Sequence, residues 1–301
     1  MTASRPRASA LALALLLIGG DPARADPPLV VADTAPTHSL VSRVMNGVGV
    51  PLLLIPRSAD PATFVLDATN RRTLARASVV FMVGRSLSPG LNASFAKLSR
   101  AVYFIELSEV PGLPLPDFFG DAVEGTVPRR IDPYFWLNPE VARHWLPVIA
   151  DALAERDPTN ADIYRRNAQA AAEEMAWLEA DVTERMRPLR ELGYFVPDAR
   201  FTHFERAFGL RRLGVASPAT LGALQGLERL HARGLVCVFL PPEESDSPLA
   251  LRLSQTGLRI GLLDPFGKAL DLGPELYPTL IARAADSFEN CLGGDRPGVA
   301  D

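Results

Sequence analysis

The chain has 301 residues, of which 48% are hydrophobic, enough for a sizeable core and for two lobes of ordinary domain size. Its formal net charge is −4, whereas nucleic-acid-binding proteins usually carry a basic stripe. The composition therefore argues against wholesale disorder and against a nucleic-acid partner.

The chain begins with the features of a secretory signal peptide in their usual order, in the residues MTASRPRASALALALLLIGGDPARAD. Arg5 and Arg7 make a positive start, and residues 8–19 form an apolar run too short to span a bilayer comfortably. Residues 23–25 then give an A-x-A cleavage pattern. An anchoring helix is the alternative. We predict a signal peptide over residues 1–25 and a soluble mature protein exported to the periplasm.

The only two cysteines are Cys237 and Cys291, which export places in an oxidising compartment. They allow one intramolecular pairing, 54 positions apart, and a bridge of that span is worth about 4 kcal/mol in the loop-entropy model. Two separate buried thiols are the alternative. A C-x-x-C motif is absent from the sequence, which argues against a thiol oxidoreductase.

Short β-rich runs alternate with helical patterns along the chain, four in each half. The runs are continuously apolar, which is typical of strands buried on both faces of a parallel sheet. They are LVVAD (29–33), PLLLIP (51–56), VVFMVG (79–84), VYFIEL (102–107), YFVPD (194–198), LRRLGVA (210–216), VCVFLP (236–241) and RIGLLDP (259–265). The predicted fold class is α/β, with two lobes that each contain a mostly parallel four-stranded sheet.

The segment between the two groups of strands, residues 157–193, predicts one long helix. Asp157 is a suitable N-cap and Pro158 suits the first helical position, while Pro188 interrupts the pattern and Gly193 ends it. A helix of about 30 residues would be roughly 45 Å long and would join the lobes as a stiff hinge. The predicted organisation is a signal peptide (1–25), an N-terminal lobe (26–156), a linking helix (157–193) and a C-terminal lobe (194–301).

Four carboxylates follow predicted strands: Asp33, Glu106, Asp198 and Asp264. Open parallel sheets bind ligands at the carboxyl ends of their strands, so two facing lobes would present these side chains to the cleft between them. The pattern indicates a cation site. For each carboxylate, helix capping is the alternative.

Motifs of common catalytic sites are absent from the sequence, which has no G-x-S-x-G elbow, Walker loop or G-x-G-x-x-G fingerprint. The histidines show no metal-site spacing: His38, His144, His203 and His231. We expect His38 and His144 on helices, and His203 near a helix start, where it could face the cleft. The sequence therefore favours a protein that is not an enzyme.

Six stretches share their order with a known family: THSLVSRVMNGVGVPLLLIP, SADPATFVLDATNRRTLARASVVFMVG, DPYFWLNPEVAR, YFVPDARFTHFERAFGL, CVFLPPE and GLLDPFG. Over residues 29–293 the chain resembles the periplasmic metal-binding proteins of zinc and manganese ABC uptake systems, the zinc branch in particular. The resemblance implies a disulfide between Cys237 and Cys291. It also implies an ABC permease and its ATPase at the inner membrane as partners, with the protein expected as a monomer.

In that family three histidines and one carboxylate hold the metal between the lobes. The position of the first histidine, in DPATF, carries Ala62 here, and that of the second, in DPYFWL, carries Tyr134. An ungapped match of FVPDARFTHFE places Asp198 at the third, and Asp264 keeps the carboxylate position. The family's histidine-rich loop is also missing, since residues 109–130 contain no histidine. The resemblance therefore implies a site whose histidine ligands are replaced.

Tyr134, Asp198 and Asp264 would offer at most three oxygen donors. Zinc favours imidazole and thiolate, whereas an oxygen set suits manganese, ferric iron or calcium. Without a cation two carboxylates repel each other. A nearby arginine could neutralise them instead: Arg129, Arg130 or Arg200. Tyr134 could also simply pack beside Phe135 and Trp136.

Two functions follow from these positions. One is the solute-binding component of a zinc-type ABC uptake system with an atypical or degenerate metal site, holding zinc, a harder divalent or ferric ion, or none. The other is a periplasmic interaction or scaffold protein that retains the fold without binding metal.

Overall fold

A computed structural model describes residues 27–91, 102–114, 132–196, 198–215 and 234–294. Within these ranges the chain forms eight strands and seven α-helices. Several sequence predictions lie outside them: the signal peptide at 1–25, most of the loop 109–130 with Arg129 and Arg130, and His231.

The first four strands form one parallel sheet in the order β2-β1-β3-β4. They are β1 (Val30–Ala32), β2 (Leu52–Leu53), β3 (Val79–Met82) and β4 (Tyr103–Glu106). Every residue of β1 and β3 is buried, which explains their uninterrupted apolar sequence. Two helices accompany this sheet: α1 (Ala35–Val44) and α2 (Ala68–Arg76).

The last four strands form a second parallel sheet with the corresponding order β6-β5-β7-β8. They are β5 (Gly193–Val196), β6 (Gly214–Val215), β7 (Leu235–Leu240) and β8 (Arg259–Leu262). The helices of this part are α5 (Thr202–Phe208), α6 (Pro248–Ser254) and α7 (Leu276–Phe288), and a π-helical turn, Glu289–Gly293, follows α7. The predicted fold class is confirmed.

Two helices lie between the sheets in sequence, α3 (Pro139–Arg156) and α4 (Ala161–Met186). The 26 residues of α4 span about 39 Å, and 3₁₀ turns extend the helical run from Pro158 to Leu189. The predicted linking helix is therefore present. Asp157 does not cap it; its Oδ2 accepts hydrogen bonds from Asn160 Nδ2 and Tyr164 Oη, each at 2.7 Å.

Gly193 begins β5 instead of ending the helix. A Cβ atom at this position would lie 2.5 Å from the carbonyl oxygen of Gly234, so only glycine allows the two segments to approach this closely. The lobe boundaries at 26, 156 and 193 stay a prediction.

One continuous hydrophobic core runs through both lobes. It includes Phe81 of the first sheet, Trp145 of α3, Met175 of α4 and Phe239 of the second sheet. Helix α4 contacts α1 and α3, which precede it in the first lobe, and α7 of the second lobe, and so connects the two lobes. Among the described residues, two smaller clusters cover the outer faces of the sheets.

Cys237 of β7 and Cys291 of the π-helical turn form a disulfide, and both are buried. The predicted pairing is confirmed. The bridge ties the end of the second lobe to an internal strand of its sheet.

Replacing both cysteines, Cys237→Ala and Cys291→Ala, is expected to lower the free energy of unfolding by about 4 kcal/mol, because the bridge restricts a 54-residue loop of the unfolded chain. Urea unfolding of the oxidised protein and the double variant measures the difference. Reduced wild type is the control and should unfold at the midpoint of the variant. Equal midpoints for oxidised and reduced wild type would contradict the prediction.

Candidate functional site

Asp33 and Glu106 follow or end strands β1 and β4, and their carboxylates accept hydrogen bonds from backbone amides. The Asp33 carboxylate accepts from the amides of Thr34 and Val83, each at 2.7 Å. Glu106 accepts from the Arg85 amide at 2.8 Å and pairs with its guanidinium at 3.2 Å. Neither carboxylate caps the helical segment that follows it, so the helix-capping alternative is wrong for both; they bind backbone amides at the end of β3 instead.

Burial raises the pKa of Asp33 to about 6, although its hydrogen bonds to Val83, Thr37 and Thr34 favour the ionised form. Asp33 is fully buried. This carboxyl group therefore titrates in a mildly acidic range instead of near its ordinary value of 3.8.

Asp198 lies in the turn after β5 and pairs with Arg200. Its Oδ1 accepts from the Arg200 amide at 2.9 Å, and its Oδ2 lies 2.7 Å from Nε and 2.5 Å from a terminal nitrogen of the same guanidinium. The pKa of Arg200 is raised: burial opposes the shift, but the Asp198 carboxylate outweighs it by stabilising the charged form. Both oxygens of Asp198 are thus engaged within one turn.

Asp264 lies in the loop after β8 and holds a turn of that loop. Its Oδ1 accepts from the Phe266 amide at 2.9 Å and its Oδ2 from the Lys268 amide at 2.5 Å. The Lys268 ammonium also forms an ion pair with Glu243, at 3.3 Å.

The two aspartates line different spaces. Asp198 borders a cavity of about 10 Å³ together with Leu263 and Pro265, the neighbours of Asp264. That volume corresponds to about one water molecule. Asp264 itself lines a separate groove of about 500 Å³ between β8 and α7. The structure thus brings the neighbours of Asp264 into contact with the cavity beside Asp198.

Tyr134 precedes a single 3₁₀ turn, Phe135–Leu137. Its amide donates to Asp132 Oδ1 at 3.0 Å, and its half-buried ring lies 5.3 Å from that of Trp136 and 5.7 Å from that of Phe266. Burial is the main cause that raises the pKa of the phenol to about 12, and Asp198 adds to the shift. The phenol is therefore protonated at neutral pH.

Ala62 lies exposed in the loop between β2 and α2. Its amide donates to Asp60 Oδ1 at 2.9 Å, and its methyl group offers no ligand atom. The charge of Asp60 adds to the rise in the pKa of Tyr134, of which burial is the main cause.

The three histidines in the described ranges are held by the backbone. The ring nitrogens Nε2 of His38 and His203 donate to the carbonyl oxygens of Pro51 and Asp132, each at 3.0 Å, and both rings are buried. His144 is exposed and bonds Glu140 O at 2.8 Å. In the part of the chain that the structure describes, no group of three His, Cys, Asp or Glu side chains is arranged to hold a metal ion.

A buried ionic group of the second lobe was not singled out from the sequence. Glu205 of α5 accepts from Tyr194 Oη at 3.0 Å and pairs with Arg212. Nearby, burial raises the pKa of Asp132 to about 7. The signal available in the sequence was Glu205 inside the apolar helix FERAF, where a glutamate needs a partner.

Two parallel sheets flanked by helices and a long helix that packs against both lobes give the architecture of a two-lobed solute-binding protein. The family model described as "ZnuA: Zinc-uptake complex component A periplasmic" matches residues 30–291, and the chain belongs to this family. It is a family of periplasmic components of zinc-uptake ABC transporters and not of enzymes. No helix in the described ranges is both apolar and long enough to cross a membrane.

Relatives cover nearly the full length. The chain is 28% identical to the high-affinity zinc uptake system protein ZnuA of Paracoccus denitrificans, over 96% of this chain and 99% of the relative. It is also 28% identical to that of Brucella abortus, over 87% and 91%.

Solved structures share the fold. A crystal structure of ZnuA superposes with a TM-score of 0.72 at 19% identity, covering 89% of this chain and all of the other. FpvC of Pseudomonas aeruginosa in complex with Mn²⁺ gives 0.72 at 20% identity, covering 89% and 98%. The Zn(II)-bound ZnuA-like domain of Streptococcus pneumoniae AdcA gives 0.70 at 18%, covering 87% and 99%.

The raised pKa of Asp33 predicts a pH-dependent stability. Between about pH 4 and pH 6 the folded protein retains a proton that the unfolded chain has lost, so this stabilisation is complete at lower pH and is lost as the pH rises through 6. The shift corresponds to about 3 kcal/mol. The free energy of unfolding of wild type, minus that of Asp33→Asn, should therefore fall by about 2 kcal/mol between pH 4 and pH 7, because part of the stabilisation is already lost at pH 4. A difference that does not vary with pH would contradict the assignment.

Proposed function

We propose that this protein is the periplasmic component of a zinc-type ABC uptake system, and that the metal site between its lobes is degenerate. Membership of the zinc-uptake family supports the transport role. The ion pair between Asp198 and Arg200 supports the proposal that the site is degenerate, because the guanidinium occupies the carboxylate that a cation would need. In this proposal the mature chain is a periplasmic monomer without residues 1–25 and works with an ABC permease and its ATPase.

A divalent metal ion is the cargo class that the relatives suggest. The curated relatives are named for zinc uptake, and the similar solved structures include one bound to Zn(II) and one bound to Mn²⁺. We infer that the family's three histidine positions are occupied here by Ala62, Tyr134 and Asp198, with Asp264 at the carboxylate position.

These side chains are poor zinc ligands for separate reasons. Ala62 has no donor atom, and the phenol of Tyr134 keeps its proton at neutral pH because its pKa is about 12. Asp198 is charge-neutralised by Arg200, and a cation would have to displace this partly exposed ion pair, which is worth up to about 1 kcal/mol. A cation that enters meets only oxygen donors, which favour manganese, calcium or ferric iron over zinc.

A second candidate function is an interaction or scaffold protein that retains the fold. The ion pair between Asp198 and Arg200 favours this function if it prevents metal binding entirely. Growth under separate limitation of zinc, manganese and iron separates the two functions. Deleting the gene should impair growth of the source organism, and the wild-type gene should restore it only when the permease is present. Normal growth of the deletion strain would favour the scaffold role.

Zinc retention after dialysis tests the degenerate site. Purified mature wild type should retain substoichiometric zinc, whereas the combined variant Ala62→His, Tyr134→His and Asp198→His should retain one equivalent, because imidazole completes a nitrogen-rich shell with Asp264. Metal analysis after equilibrium dialysis gives both values. The matched control places the first histidine one residue later, as Thr63→His, and should not reach one equivalent.

Two further variants assign the result to particular residues. Adding Asp264→Ala to the combined variant should abolish the gain. In wild type, Arg200→Gln should strengthen Mn²⁺ binding, because it frees the charge of Asp198. One equivalent of zinc that survives dialysis of wild type and is lost in Asp264→Ala would overturn the proposal.

A further inference from the structure

The loop that joins β8 to α7, residues 263–275, belongs to the second lobe by sequence but lies against the first. Its beginning is bound to Trp136, whose Nε1 donates to the carbonyl oxygen of Pro265 at 2.8 Å. Both partners are buried, and the ring of Phe266 lies 5.3 Å from that of Trp136. A buried hydrogen bond of this kind is costly to break, because its groups would lose their partners in a low-dielectric environment.

The end of the loop is bound to α1. The carbonyl oxygen of Pro274 accepts from Ser39 Oγ at 2.9 Å and from Arg43 Nε at 2.8 Å. Ser39 Oγ also accepts from the amide of Tyr277 at 2.9 Å, and Arg43 pairs with Glu275 at 3.1 Å. One helix of the first lobe therefore holds both the end of the loop and the start of α7.

The middle of the loop has a contact of its own. The guanidinium of Arg57, in the loop after β2, donates to the carbonyl oxygen of Leu270, whose side chain is buried. The loop is thus bound to the first lobe at its beginning, middle and end.

We infer that residues 263–275 form an interlobe strap, fixed to the first lobe by Trp136, Arg57 and Ser39. The strap carries Asp264 and Lys268, so the positions of these two residues depend on contacts with the opposite lobe. Tyr277 Oη donates to the carbonyl oxygen of Trp136 at 2.7 Å and holds Trp136 from the second lobe as well. The lobes cannot separate at the cleft unless the bond between Trp136 and Pro265 breaks, whether or not a cation binds there.

Trp145 offers a matched control for Trp136. It is a fully buried tryptophan of α3, and its indole nitrogen has no hydrogen-bond partner within the described part of the chain. Trp136→Phe and Trp145→Phe therefore remove the same volume from the core, but only the first removes a bond to the strap.

Hydrogen exchange followed by mass spectrometry tests the strap on the full mature protein. In Trp136→Phe, amides of peptides within 263–275 should exchange about tenfold faster than in wild type, because the strap opens locally more often. In Trp145→Phe the same peptides should exchange at the wild-type rate. Equal acceleration in both variants, or acceleration of all peptides alike in Trp136→Phe, would overturn the inference.

The other end of the strap has an independent test. Ser39→Ala should speed exchange in peptides that cover residues 272–277, whereas Ser42→Ala, on the same helix but bonded to His38 at 3.3 Å, should not. This pair of variants decides the matter if Trp136→Phe does not fold. Wild-type exchange of residues 272–277 in Ser39→Ala would overturn the attachment at α1.

Discussion

The packing of α4 against both lobes is the constraint on which the rest of the molecule depends. Because α4 contacts α1 and α7, elements of both lobes are buried in one core instead of two. Two lobes with separate cores could rotate freely about a linker, but here rotation would expose shared apolar surface. Loops such as 263–275 are consequently able to reach the opposite lobe.

The carboxylates at the strand ends act first on the chain itself. Parallel strands end with amide groups that have no partner in the sheet, and a carboxylate in the following turn satisfies them. Asp33, Glu106, Asp198 and Asp264 all accept backbone amides in this way. A side chain in this position already has a rigid orientation, so adapting it to a cation requires changes in the neighbouring residues more than in the carboxylate.

The sheets, the long helix and the disulfide could be predicted from the sequence. Apolar runs and helix-forming residues are local signals for strands and helices, and two cysteines allow only one intramolecular pairing. The ion pair was foreseen only as one of several arginines, since sequence cannot rank Arg200 above Arg129. The bond from Trp136 to Pro265 was not foreseen, because it joins residues 129 positions apart. The end of the helix was predicted too late, at Gly193. This glycine begins β5 and is required for its close approach to Gly234, a contact between strands that the sequence does not show.

The ion pair between Asp198 and Arg200 also bears on communication with other proteins. Both partners lie in one turn of one lobe, so their mutual neutralisation does not depend on whether the lobes are close together. In the proposed degenerate site the pair therefore adds no net charge to the empty cleft in any arrangement of the lobes. A membrane partner that distinguishes loaded from empty binding proteins would find no unpaired charge of Asp198 to mark the empty state, and would have to recognise the charge of the bound cation or the shape of the cleft.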